Sequence, residues 1–257
     1  MALLEVDNVR RSFGGLVAVD KASFTVQQGL VKALIGPNGA GKTTLFNIVS
    51  GLLATETGQI RFKDKRINGL RPHQIARAGI ARTFQNPSLF LQMSVIENVM
   101  VGQHVRTKAG FLACCLRLPW QQREERAIRN AAMRQLDFVG LAHLAKAPAG
   151  SLTFGQRRMV ELARALATEP ALALLDEPAS GLNNRETADL GALIHKIRGT
   201  GVTVLLVEHD MSLVMDISDD IVVLHNGTPI AQGPPSVIQN DPRVVAVYLG
   251  DDSQHVA

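Results

Sequence analysis

Gly36-Pro37-Asn38-Gly39-Ala40-Gly41-Lys42-Thr43-Thr44 is the stretch that decides this fold. It fits G-x-x-x-x-G-K-[ST], the pattern of a phosphate-binding loop. Val31-Lys32-Ala33-Leu34-Ile35 precedes it and reads as a buried strand. Leu45-Phe46-Asn47-Ile48-Val49 follows and reads as the first turns of a helix. A strand, a glycine-rich turn and a helix N-terminus form an anion cradle. The glycines let the backbone approach phosphate, and unpaired helix N–H groups point at it. Lys42 supplies a point charge for β/γ-phosphates, and the Thr43 hydroxyl is a ligand for Mg²⁺. The expected ligand is a nucleoside triphosphate.

Working outward, the same logic finds a second strand aimed at the cradle. Leu172-Ala173-Leu174-Leu175 is apolar and ends in Asp176-Glu177. Carboxylates at the C-terminal edge of such a strand stand where α/β sheets bind ligands. Asp176 is expected to hold Mg²⁺ through water, and Glu177 to polarise the attacking water as general base. Gln85 and His209 end two further expected strands. A glutamine amide can reach Mg²⁺ or the lytic water. A histidine Nε2–H can donate to a γ-phosphate oxygen.

The rest of the chain supports a sheet covered by helices. Strands are expected at Leu4–Val9, Ala22–Val26, Gly58–Phe62 and Ile80–Phe84, with a short helix over Pro72–Ala78. From Asn86 to about Leu162 strand patterning vanishes. Helical stripes replace it over Gln121–Val139 and Gly155–Thr168. Strand–helix alternation then returns: a helix over Arg185–Arg198, a buried strand Val202–Val207 and a hairpin turning at Asn226-Gly227. A last helix begins at Asp241-Pro242 and is expected to dock through Val244, Val245, Tyr248 and Leu249. The expected fold is α/β: a nucleotide-binding core of mostly parallel sheet, an N-terminal antiparallel β region and a helical subdomain. The core is assigned to 1–85 and 163–240, the helical subdomain to 86–162, and the C-terminal helix and tail to 241–257.

Composition sets the outer limits. The chain has 257 residues, 46% hydrophobic and 19% charged, enough for a sizeable core. No apolar run approaches the roughly 18–20 residues of a membrane span, and the N-terminus carries no secretory pattern. Cys114 and Cys115 are adjacent and cannot staple distant segments, which fits a reducing compartment. A net charge of +4, with only short basic pairs such as Arg10-Arg11 and Arg157-Arg158, gives no stripe for nucleic acid. Both pairs read as solvated faces.

These motifs together closely resemble the ATP-binding subunits of ABC transporters, over nearly the full length. Leu152-Thr153-Phe154-Gly155-Gln156 matches the family's signature loop, usually L-S-G-G-Q, just upstream of Asp176-Glu177. The resemblance assigns Gln85 to the Q-loop, Ser180-Gly181-Leu182-Asn183 to the D-loop, His209 to the switch histidine and Phe13 to adenine stacking. It implies ATP and Mg²⁺, and a pair of such chains, like or related, around two ATP. Gly155 begins a helix, so its backbone donors form a second anion site, expected to cover the γ-phosphate held by the other chain. Thr153 replaces the usual serine and keeps a hydroxyl. Phe154 replaces a glycine.

A narrower resemblance is to the larger type of branched-chain amino-acid importer ATPase. It rests on Phe13-Gly14-Gly15-Leu16, Gly79-Ile80-Ala81-Arg82-Thr83-Phe84-Gln85-Asn86, Ser94-Val95-Ile96-Glu97-Asn98-Val99, Val207-Glu208-His209-Asp210-Met211 and Ala246-Val247-Tyr248-Leu249-Gly250. Residues 103–125 would be that type's extra segment. Asn184 stands where the subfamily often has proline. The resemblance implies two membrane-spanning permease subunits, a solute-binding protein acting through them, and a peripheral place on the cytoplasmic face of the inner membrane. Relatives carry amino acids, urea or short amides. The coupling surface is expected around Asn86–Val99, with Leu89, Phe90, Leu91, Met93 and Val95 forming a groove. Soluble members of translation or DNA repair usually carry two nucleotide domains or long insertions; this chain has one such loop and no long heptad run.

Overall fold

The computed structural model describes residues 1–85, 88–103 and 119–251. Cys114, Cys115, Asn86 and most of the expected extra segment lie outside the described residues. Two sheets build the core. β1 (Ala2–Phe13), β2 (Leu16–Gln27), β4 (Thr57–Phe62) and β5 (Lys65–Arg66) form an antiparallel sheet in the order β2-β1-β4-β5. β3 (Val31–Ile35), β6 (Ile80–Arg82), β7 (Leu172–Asp176), β8 (Thr203–Val207), β9 (Asp220–His225) and β10 (Thr228–Gly233) form the other, ordered β10-β9-β3-β8-β7-β6. Its strands pair in parallel except for the β9–β10 hairpin. At the hairpin turn Asn226 and Gly227 both have positive φ, 47° and 78°, as a type I′ turn requires.

Every residue of β3, β7 and β8 is buried, because helices or the second sheet cover both faces. Alternation still sorts them. Leu34, Leu205 and Val207 face the cluster shared with the antiparallel sheet and α1 (Lys42–Val49). Ala33, Ile35, Val204 and Leu206 face the opposite cluster, with α6 (Asn184–Gly199) and α7 (Met211–Ile217). A third cluster lies among α3 (Val95–Gln103), α4 (Pro119–Phe138) and α5 (Phe154–Leu166), holding Val95, Val99, Ala132, Leu136 and Val160. α5 serves two clusters: Val160 and Ala163 face the third, Leu162 and Leu166 the second. The expected division at residue 162 falls inside it.

The helix expected at Pro72–Ala78 is α2, with proline in its first turn. α8 (Pro235–Ile238) and α9 (Pro242–Asp251) close the chain. Two expectations need correction. β6 stops at Arg82 rather than running to Phe84. The Thr83 N–H still donates to the Leu174 carbonyl at 3.0 Å, but the Phe84 N–H turns to the Glu161 carboxylate at 3.0 Å. A side chain from α5 has taken over the ladder. In α9, Val244 and Tyr248 pack inward at i and i+4, whereas Val245, about 100° further round, is exposed. The C-terminal ends of β3, β7 and β8 and the exit from β6 all reach one edge of the sheet. That edge carries the expected site residues.

Candidate nucleotide site

The loop between β3 and α1 is built around two glycines. A Cβ at Gly36 would lie 2.1 Å from the Leu224 carbonyl oxygen, and one at Gly41 would lie 2.2 Å from that of Ala18. Gly41 also holds φ 97° as the residue capping α1, a region hostile to side chains. Asn38 and Gly39 are exposed, while Ala40 is buried and donates its N–H to the Pro37 carbonyl. Lys42 is buried and its Nζ donates to the carbonyls of Gly36 (2.7 Å) and Pro37 (2.9 Å). Burial pushes its pKa down, opposed by the Glu177 carboxylate. Thr43 is exposed in the first turn, with Thr44 half-buried beside it.

Asp176 is buried at the end of β7 and paired with Arg82 at 2.8 Å. The same guanidinium donates to Asn47 Oδ1 (2.8 Å) on α1 and to Ser50 Oγ (2.6 Å) at that helix's C-terminal cap. Arg82 therefore ties the end of β7 to the phosphate-loop helix. Glu177 follows in the left-handed region at φ 44°, its N–H donating to the Val207 carbonyl at 2.9 Å. Positive φ is costly for a glutamate and is tolerated where the surroundings fix it. Gln85 Nε2 donates to Glu177 Oε2 at 2.7 Å, so the two residues assigned to water handling are in contact. Thr43, Asp176 and Gln85 offer hydroxyl, carboxylate and amide oxygens. This hard donor set suits Mg²⁺, which keeps several of its waters.

His209 lies past β8 with its side chain 64% exposed, its Nδ1 3.7 Å from the Glu208 carboxylate. Glu208, to which sequence reasoning gave no role, holds this part of the site together. It is buried and accepts the backbone N–H of Ala179 (2.7 Å), His209 (2.9 Å) and Asp210 (3.3 Å). It thereby joins the residue just before the D-loop to the histidine loop. Asn183 caps α6, accepting N–H from Arg185 and Glu186, while Glu186 accepts the Asn183 N–H in return. Phe13 ends β1, 45% exposed, with the Arg11 guanidinium 5.0 Å from its ring centroid.

The signature loop is joined to the D-loop. Leu152 is buried, and Thr153 caps α5: its Oγ1 accepts the Gln156 N–H at 3.3 Å while Gln156 Oε1 accepts the Thr153 N–H at 3.0 Å. A Cβ on Gly155 would lie 2.6 Å from Glu186 Oε1. The Phe154 ring occupies the space beside Gly181, where a Cβ would meet it at 2.9 Å. Arg158, expected on a solvated face, is instead fully buried. It donates to the carbonyls of Phe84 (2.8 Å) and Gln85 (2.7 Å). Its partner Glu161 is equally buried, and burial raises that carboxyl's pKa.

Comparison with known proteins agrees with this geometry. The family model "ABC transporter" matches residues 19–180, and that of the "Branched-chain amino acid ATP-binding cassette transporter" matches 228–253. The chain is 47% identical over 250 residues to the high-affinity branched-chain amino acid transport ATP-binding protein BraF of Pseudomonas aeruginosa, covering 97% of this chain and 98% of that one. It is 43% identical over the same span to LivG of Escherichia coli, again covering 97% and 98%. Among solved structures, the ADP conformation of MJ1267, an ATP-binding cassette of an ABC transporter, superposes with a TM-score of 0.85 at 33% identity, covering 97% of this chain and 99% of that one. Two family models in series, full-length likeness and a shared fold around one phosphate loop leave a single assignment. The chain belongs to the ABC transporter family, as an ATP-binding, ATP-hydrolysing subunit closely related to the branched-chain amino acid importer ATPases.

Proposed function

We propose that two copies of this chain, or one copy and a related chain, clamp two ATP molecules between them and drive the permease of an importer for branched-chain amino acids. The convergence of Lys42, Asp176 and the Gln85–Glu177 pair on one sheet edge carries this reading. Gly36 to Thr44 cradle the triphosphate, and Phe13 stacks on the base. Glu177 takes a proton from the attacking water, Gln85 orients that water, and His209 donates to the γ-phosphate. Thr43, Asp176 and Gln85 would hold Mg²⁺, which would supply charge neutralisation on the phosphates. Leu152 to Gln156 and Asn183 meet the nucleotide of the opposite chain. In support, the exposed Thr153 caps a helix of 13 residues whose N–H groups suit an anion.

Among the described residues no helix is long and apolar enough to cross a membrane. The proposed partners are two membrane-spanning permease subunits and a solute-binding protein acting through them, a reading supported by the likeness to ATP-binding proteins of branched-chain amino acid transport. A cavity of about 430 Å³ between core and helical region, walled by Leu52, Ile75, Phe84, Phe90 and Val101, suits a short apolar helix from a permease subunit. The solute is read from the relatives' names, branched-chain amino acids. Glu177→Gln with ATP tests the clamp. Light scattering should show a stable nucleotide-bound dimer, with turnover down by on the order of 100-fold or more. A protein that stays monomeric at saturating ATP refutes the clamp.

A further inference from the structure

The charged cluster at the base of the signature helix touches both halves of the catalytic machinery. Arg158 Nη1 donates to the Phe84 carbonyl at 2.8 Å. Its Nη2 donates to that of Gln85 at 2.7 Å and lies 3.5 Å from that of Glu177. Gln85 and Glu177 are the residues whose side chains bond each other at 2.7 Å. One guanidinium thus holds the backbone behind both members of the pair.

The same group reaches forward to the signature. Its carbon lies 5.6 Å from the Phe154 ring centroid, and that ring fills the space beside Gly181 in the D-loop. Glu161, one turn on, accepts the Phe84 N–H at 3.0 Å and sits 3.4 Å from Arg158. Arg164 stands 3.9 Å from Glu161 and donates to the Ser88 carbonyl at 2.7 Å. Arg158, Glu161 and Arg164 all belong to α5, so the first turns of this helix and the Q-loop backbone are one body. Such a cluster does not yield gradually, because breaking a buried charge pair leaves a charge stranded away from water.

We propose that Arg158 is a positioning residue that couples the two nucleotide sites of the dimer. Through it the helix start facing the opposite chain's ATP moves together with the Gln85–Glu177 pair of its own site. The proposal rests on the clamp reading above. It also gives Phe154 a role: an aromatic at the signature position of a glycine supplies the surface on which the guanidinium stacks.

Arg158→Lys tests it, because an ammonium keeps the charge but lacks the flat fork whose two ends reach the Phe84 and Gln85 carbonyls while its face lies against the Phe154 ring. In the intact transporter the unsubstituted chain should give a sigmoidal dependence of ATPase on ATP. The variant should give a hyperbolic one, with kcat lower by about 10-fold and the half-saturating ATP little changed. Glu177→Gln combined with Arg158→Lys should still dimerise on ATP, which separates failure of the link from failure of the clamp. Unchanged cooperativity and kcat at an unchanged melting temperature overturn the proposal, as does a hyperbolic curve for the unsubstituted transporter. Should the lysine variant not fold, hydrogen exchange on the unsubstituted chain decides. Segments 80–85 and 153–158 should gain protection at the same concentration of a non-cleavable ATP analogue, and separate midpoints refute the link.

Discussion

Thr153 shows how much one side chain can carry. Its oxygen accepts the Gln156 N–H and so caps α5. Its own hydrogen is free to serve as a donor to the phosphate that the signature loop is proposed to meet. Serine, the family's usual residue here, would do both; alanine would do neither. Loss of the cap alone costs about 1 kcal/mol. Thr153→Ala should therefore lower the melting temperature slightly and steady-state ATPase by on the order of 10-fold or more. ATP affinity of the isolated chain should barely move, because the donor serves the opposite chain's nucleotide. Thr153→Ser should recover both losses. Equal falls in ATPase and in ATP affinity would place Thr153 on its own nucleotide instead.

At the scale of elements, α9 shows a charge holding a helix start. The Asp241 carboxylate accepts the Arg243 N–H at 2.8 Å and pairs with its guanidinium at 2.7 Å, while the Asp241 carbonyl accepts the N–H groups of Val244 and Val245. The Arg243 side chain first, and then the Arg243 N–H, hold the Asp241 carboxyl's pKa down to about 2 from an ordinary 3.8. A carboxylate depressed on folding stabilises above its ordinary pKa, and that contribution fades as pH falls toward the folded value. Thermal melts from neutral pH to below pH 3 should thus show the unsubstituted chain losing its advantage over Asp241→Asn. A gap between the two that does not change with pH would remove the carboxylate from this role.

Elements also show what the sequence discloses. Hydrophobic period and turn chemistry marked the Asn226-Gly227 hairpin, α2 and the buried strands, since each depends on local pattern. Thr83 and Phe84 are good strand residues, yet β6 ends before them because Glu161, 77 residues on, claims the Phe84 N–H. No local pattern reports that. Arg158 and Glu208 are the harder cases, for a charged residue destined for burial has the same letter as a solvated one. A signal did exist for Arg158: it stands four residues before Leu162, on the buried stripe of α5. Reading the pair Arg157-Arg158 by charge rather than by helix face hid it. The placing of the phosphate loop, Asp176-Glu177 and Gln85 at one sheet edge was legible because an apolar strand leads toward each of them.

The whole molecule joins the catalytic edge to the cleft proposed for the permease. Gln85 begins the segment, gripped by Arg158, and Ser88 is held by Arg164. Two residues on, Phe90 is displayed by a buried asparagine: Asn98 Oδ1 accepts its N–H at 2.8 Å and Asn98 Nδ2 donates to its carbonyl at 3.1 Å. The Phe90 ring is 54% exposed on the cavity wall, whereas Val95, expected beside it, is fully buried in the helical cluster and cannot touch a partner. A permease helix seated there would push beside Ser88, which Arg164 holds, on the same helix whose Arg158 reaches the Gln85 and Glu177 carbonyls. Phe90→Glu places a charge on that apolar wall without disturbing a packed core. Solute uptake by the assembled transporter should fall by on the order of 10-fold, while the isolated subunit keeps its ATPase and melting temperature. Uptake that persists at full rate would move the docking surface away from Phe90, and loss of ATPase in the isolated subunit would show that the ring supports the catalytic edge rather than the partner.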